Sequence, residues 1–126
     1  MAAIPILLKP RTTSEVLDDH LARRLKRELE QDIARNYSPE VVLLTDHGVF
    51  RGYDGVRHCA RLLEDAMPRA ALALRRRLVD GEVAYVEWSG RSGARHVDDG
   101  VDTFLVREGL ILVQTVRYTV IEGDLP

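Results

Sequence analysis

The chain has 126 residues, 45% of them hydrophobic and 30% charged, with 18 Lys and Arg set against 20 Asp and Glu. That length fits one domain with a core of its own, and the composition excludes a disordered or fibrous chain. A formal net charge of −2 gives no sign of nucleic-acid binding.

The one cysteine, Cys59, rules out an internal disulfide and fits a reducing, cytoplasmic setting. Ile4 to Leu8 is a short apolar run interrupted by Pro5. It is too short for a secretory signal and far too short to span a bilayer, so no membrane partner is expected. Residues 1–12 read as an extended strap lying on the domain or on a neighbouring subunit.

Thr12 and Glu15 then open a helix with the capping-box spacing. Leu17, Leu21, Leu25, Leu29 and Ile33 recur every four residues. Each such step overshoots a turn by about 40°, so the stripe drifts by about 160° over four steps. One straight rod cannot keep that stripe on one core. The pattern predicts two helices, 13–25 and 28–36, with a break near Lys26 to Glu28. Tyr37-Ser38-Pro39 stops the helical run, because the residue before a proline avoids the helical region. Val41 to Thr45 and Val49 to Arg51 are predicted strands around the turn Asp46-His47-Gly48. A third helix over 53–66 carries Val56, Ala60 and Leu63 on its apolar side.

From residue 70 onward the chain is strand and turn. The predicted strands are 71–79, 82–89, 94–107 and 110–121, joined by Asp80-Gly81, Gly90-Arg91-Ser92-Gly93 and Glu108-Gly109. Helices first and a meander after make the class α+β: three helices in the N-terminal half packed on an antiparallel sheet over 13–121, with a tail at 122–126.

That order resembles the SnoaL-like, ketosteroid-isomerase-like branch of the nuclear-transport-factor-like superfamily. Asn36 to Thr45 is similar to the family's first strand, and Gly48 to Val56 to its strand-to-helix corner. Asp80 to Trp88 and Asp99 to Phe104 are similar to its central strands, and Gln114 to Tyr118 to its last. The resemblance implies a curved sheet forming a cone around an internal apolar pocket. It also implies a homodimer through the open sheet face, where Ile111 and Val113 would need cover. Members include isomerases, cyclases, dehydratases, epoxide hydrolases and purely binding proteins, so the fold leaves function open.

The matched turns place the ketosteroid isomerase working positions on Thr45 (general base), Leu21 (tyrosine donor) and Asp102 (protonated acid). Threonine is a poor base and leucine donates nothing, so that mechanism is not expected. Asp102 remains. By strand alternation it shares a face with Phe104 and Val106. Inside an apolar cone, desolvation would raise its pKa and make it an acid or hydrogen-bond donor. The alternative is a structural carboxylate paired with an amide or an arginine.

Leu112, Gln114, Val116 and Tyr118 share a face of the last strand, which the family comparison turns inward. Asp102 is then a natural partner for the Tyr118 hydroxyl. Core packing is the competing reading. Trp88, with Ala84 and Val86 on its face, reads as a pocket wall, and Tyr37 and Tyr53 as rim residues. The candidate set is thus Asp102 and Tyr118 as catalytic groups, with Gln114, Trp88, Phe104, Tyr37 and Val56 contacting the ligand.

His20, His47 and His58 read as solvated or capping residues. His96 and Asp102 lie about 20 Å apart along a regular strand, which argues against a metal site. No nucleophile elbow, phosphate loop or paired-cysteine motif is present, and no cofactor is expected. Arg76 shares parity with Leu72, Leu74 and Leu78. It points inward toward the pocket mouth or, on an exposed edge, guards against aggregation. Two functions are open: acid–base chemistry on an apolar or cyclic small molecule, or a non-catalytic binding or dimerisation module.

Overall fold

The computed structural model describes residues 9–123. The expected strap run Ile4 to Leu8 therefore lies outside the described residues. Thr12 caps helix α1 (Thr13–Leu25): its hydroxyl accepts from the Glu15 amide at 3.1 Å, and the Glu15 carboxylate accepts from the Thr12 amide at 2.8 Å. The helix stops where Arg27 adopts a positive φ of 60°, and α2 (Leu29–Asn36) begins two residues later. The break falls where the drifting leucine stripe demands it.

The remaining elements are β1 (Tyr37–Thr45), β2 (Gly48–Arg51), α3 (Gly52–Ala66), β3 (Ala71–Asp80), β4 (Val83–Ser92), β5 (Arg95–Arg107), β6 (Leu110–Arg117) and β7 (Ile121–Glu122). Tyr37-Ser38-Pro39 does end the helix, but by starting β1 directly. Pro39 falls in the irregular stretch between the Tyr37 and Val42 pairings, where its missing amide costs no regular ladder bond. β6 ends at Arg117 instead of 121, and the chain returns as β7 to pair with Arg95 and His96 on β5.

The sheet order is β2-β1-β6-β5-β4-β3, with β7 beside β5. Every pairing is antiparallel except β1 with β6, which is parallel. The sheet is curved and does not close. Bulges bend a strand and raise its twist, and this sheet has them where it bends. Between Leu74 and Arg76 the β3 chain advances two residues while β4 advances one, so Arg75 is extra. Between Ile111 and Val113 the β6 chain advances two against one on β5, so Leu112 is extra. A third irregularity lies between the Trp88–Gly100 and Gly90–Val97 pairs.

Each extra residue flips the parity of the strand beyond it, which corrects the expectation for Ile111 and decides between the two readings of Arg76 in favour of the exposed edge. Ile111 is fully buried in the core instead of facing out, although Val113 does border the outer face. Arg76 points away, and Arg77 is the arginine that packs back on α1. Its guanidinium donates to Asp18 at 2.6 Å and to the Ser14 carbonyl at 2.8 Å. β3 is an edge strand and exposes Arg75 and Arg76.

The main core joins Val16, Leu17, Ile33, Tyr37, Leu43 and Phe104 across helices and sheet. A smaller cluster of Met67, Trp88 and Val97, with Tyr118 packed on it, seals the far side.

Candidate functional site

The buried residues of α1 are Thr13, Val16, Leu17 and His20, a stripe at i, i+3, i+4 and i+7. His20 ends that stripe and is 3% exposed, so the expectation of a solvated histidine is overturned. Its Nδ1 lies 2.9 and 3.0 Å from the two oxygens of Asp32, which is fully buried on α2. Asn36, one turn further on α2, donates to Asp32 at 2.9 Å and to Asp19 at 2.8 Å. The Arg11 guanidinium donates to the Asn36 side-chain carbonyl at 2.9 Å. The carboxylate that orients His20 is therefore itself fixed from two sides. Nδ1 is engaged by Asp32, which leaves Nε2 as the ring nitrogen available to the cavity that His20 lines.

β5 and β6 supply the opposite wall. Asp102 accepts from Trp88 Nε1 at 3.0 Å on one oxygen and from Gln114 Nε2 at 3.0 Å on the other. The Gln114 carbonyl in turn accepts from the Tyr37 hydroxyl at 2.5 Å. Tyr37, Gln114 and Asp102 thus form one directional chain of donors. Burial holds the Tyr37 hydroxyl well above its usual pKa, with the Asp32 charge adding to it, so the phenol remains a donor. Burial also raises the Asp102 pKa above its ordinary value. The bond from Trp88, the His20 charge and the bond from Gln114 pull it back but do not win. Asp102 keeps part of its surface toward the cavity.

Trp88 is placed by a missing side chain. Gly100 lies directly beneath the indole, and a Cβ there would overlap Cδ2 and Cε2. The ring packs against Gly100 on β5 and its N–H reaches Asp102.

The inner cavity has a volume of about 90 Å³. All seven candidate residues line it: Asp102, Tyr118, Gln114, Trp88, Phe104, Tyr37 and Val56. Their arrangement departs from expectation at two points. Tyr118 makes no hydrogen bond to Asp102; it packs against Trp88, with ring centroids 5.6 Å apart. Tyr37 is not at the rim but 1% exposed, and Tyr53 donates to its carbonyl at 3.3 Å. His20, Leu21, Arg24 and Cys59 also line it and are not among the residues expected there. The i, i+3, i+4, i+7 stripe is the sequence signal that could have found His20. Among the described residues no three metal-ligating groups converge.

The sequence matches no family model and no curated protein. Solved structures do match. An NTF2-like protein of unknown function from Burkholderia pseudomallei superposes with a TM-score of 0.70 at 16% identity, covering 84% of this chain and 89% of that one. A candidate ketosteroid isomerase from Kribbella flavida gives 0.69 at 18% identity, over 89% and 81%. A candidate polyketide cyclase from Sinorhizobium meliloti gives 0.64 at 16% identity, over 81% and 93%. The chain has the SnoaL-like, ketosteroid-isomerase-like fold. A de novo designed protein with a curved sheet superposes on this chain equally well, with a TM-score of 0.69 at 23% identity. The fold alone therefore does not specify a function, which has to be argued from the side chains inside the cone.

Proposed function

We propose that the protein is a small-molecule acid–base catalyst acting at a carbon next to a carbonyl group of an apolar or cyclic substrate. The observation that carries this reading is the pairing of His20–Asp32 and Asp102 on the walls of one apolar cavity. In the tautomer whose Nδ1–H donates to Asp32, His20 has its Nε2 lone pair free to take the C–H proton. The electrons of that bond form the enol double bond, and Asp102 in its acid form donates its proton to the carbonyl oxygen. Return of the His20 proton to another carbon, while the enol hydroxyl gives its proton back to Asp102, completes an isomerisation. Attack of the enol carbon on a second carbonyl, with the enol hydroxyl proton returning to Asp102 and the His20 proton passing to the new alkoxide, completes a ring closure. Neighbours of this fold described as an isomerase and a cyclase support the reaction class. The test is deuterium exchange at the α-carbon of a panel of cyclic ketones and enones, followed by NMR. Exchange by the wild type that is lost in His20→Gln and in Asp102→Asn is the expected result. No acceleration, or acceleration surviving both substitutions, would refute the reading.

The outer sheet face favours a second, compatible property. Val83, Leu78 and Val79 are 54%, 48% and 37% exposed there. They border a shallow apolar depression with Leu105 and Val113. We propose that a second copy of this chain covers it. Sedimentation of the wild type as a dimer, and of Val83→Glu as a monomer, is expected; a monomeric wild type at micromolar concentration contradicts it.

A further inference from the structure

The inner cavity, at about 90 Å³, is smaller than the engineered cavity of about 150 Å³ that accepts benzene. A ligand larger than one ring must extend beyond it. The way out leads between α1 and α3, because Arg24, Leu25, Ala60, Leu63 and Leu72 line both the cavity and an outer groove. That groove is larger, about 740 Å³, and its charge is one-sided. Arg24, Arg27, Arg57, Arg61 and Arg69 line it, against only Glu30 and Glu64.

The carboxylates do not neutralise these arginines evenly. Arg57 is held by Glu30 and Asp54, both at 2.8 Å, and Arg27 reaches Glu64 at 3.6 Å. The side chains of Arg24, Arg61 and Arg69 have no hydrogen-bond or ion-pair partner among the described residues. Arg24 is half-buried at the junction, and its charge is felt at Asp102, Tyr37 and Cys59 on the cavity wall. A guanidinium in that position offers several donors to an anion, in a concave site that focuses the field.

We propose that cone and groove form one bipartite site, in which the arginines hold the anionic group of a ring-bearing ligand while its apolar end enters the cone. This rests on the reading of the cone as a ligand pocket. It adds a substrate class, an amphiphilic cyclic anion, and assigns Arg24 as the residue that selects it.

Two fluorescent probes differing by one sulfonate test this: 1-anilinonaphthalene-8-sulfonate and the neutral N-phenyl-1-naphthylamine. The wild type should bind the sulfonate about tenfold more tightly than the neutral probe, with a preference that weakens as salt is added. Arg24→Met, which keeps the aliphatic stem, should erase that preference and shift the neutral probe by less than about threefold. Arg75→Gln, which removes the same charge from the exposed edge strand, should leave the preference intact. Equal binding of the two probes by the wild type overturns the bipartite site alone. So does a sulfonate preference that survives Arg24→Met or is lost in Arg75→Gln. Failure of both probes to bind overturns the pocket reading and this inference together.

Discussion

His20 and Asp32 meet across the α1–α2 hairpin, with Nδ1 placed 2.9 and 3.0 Å from the two carboxylate oxygens. Both residues are buried, and Asn36 supplies a further donor to the same carboxylate. Removing one partner of such a pair strands the other without water. Asp32→Ala should therefore cost about 3 kcal/mol of stability, read from urea denaturation. A loss below about 1 kcal/mol would mean that the pair is not fixed as described.

Asp102 gives a pH signature of unusual sign for a carboxyl. Its pKa in the folded chain lies above the ordinary 3.8, because burial opposes the charge. The folded chain therefore holds the Asp102 proton more tightly than the unfolded chain does. This contribution is fully present below the unfolded pKa and is lost as the pH rises through the folded value. Relative to Asp102→Asn, the wild type should lose stability as the pH climbs from about 4, and the gap should close in more acid solution. Urea midpoints for both proteins across that range decide it; a gap that narrows on raising the pH is the contrary result.

The contact of Trp88 with Gly100 makes a third prediction. Trp88 is the only tryptophan in the chain, so its fluorescence reports the site without labelling. Gly100→Ala forces the indole off the strand and breaks its bond to Asp102. Overpacking of this kind costs about 1–3 kcal/mol. Emission should shift while far-ultraviolet dichroism holds. An unchanged spectrum would show that the ring does not rest on Gly100.

Cys59 offers a chemical probe of the cavity wall. Burial, then the Asp102 charge, pushes its thiol up to about 11 from 9.0. The thiolate fraction near neutrality falls about a hundredfold, and the greater nucleophilicity of a more basic thiolate recovers about tenfold. Iodoacetamide should thus modify the folded protein about tenfold more slowly than the urea-unfolded chain, by mass spectrometry. Equal rates would place Cys59 in open water.

Much of the fold was legible because its signals are local. The capping pair Thr12 and Glu15, the drift of the leucine stripe past Leu25 and the glycine-bearing hairpins need no knowledge of distant residues. Alternation also brought Asp102, Gln114 and Trp88 to one wall. It failed at Ile111 because a bulge inserts one residue and inverts every side chain beyond it, and nothing in Leu112 marks it as extra. The apolar stripe hid His20. A search for leucines follows Leu17, Leu21 and Leu25, yet Leu25 is 50% exposed, and the buried face turns through His20 instead. Its partner Asp32 lies on another helix, beyond any single periodic pattern. The Tyr118 hydroxyl is expected to bond Asp102 because a buried phenol needs a partner; in the structure the ring packs on Trp88, and the Trp88 N–H donates to Asp102 instead.

The parallel pairing of β1 with β6 also orders events during synthesis. Tyr37 must wait for Ile111, and Leu43 for Gln114, before the ladder between them exists. A ribosome releasing this chain exposes an unfinished sheet edge until β6 emerges, and the two halves of the cavity wall meet only then. Nonsense products ending ahead of β6 would keep His20 and Asp32 yet enclose nothing, and would offer β1 as a sticky edge to other nascent chains.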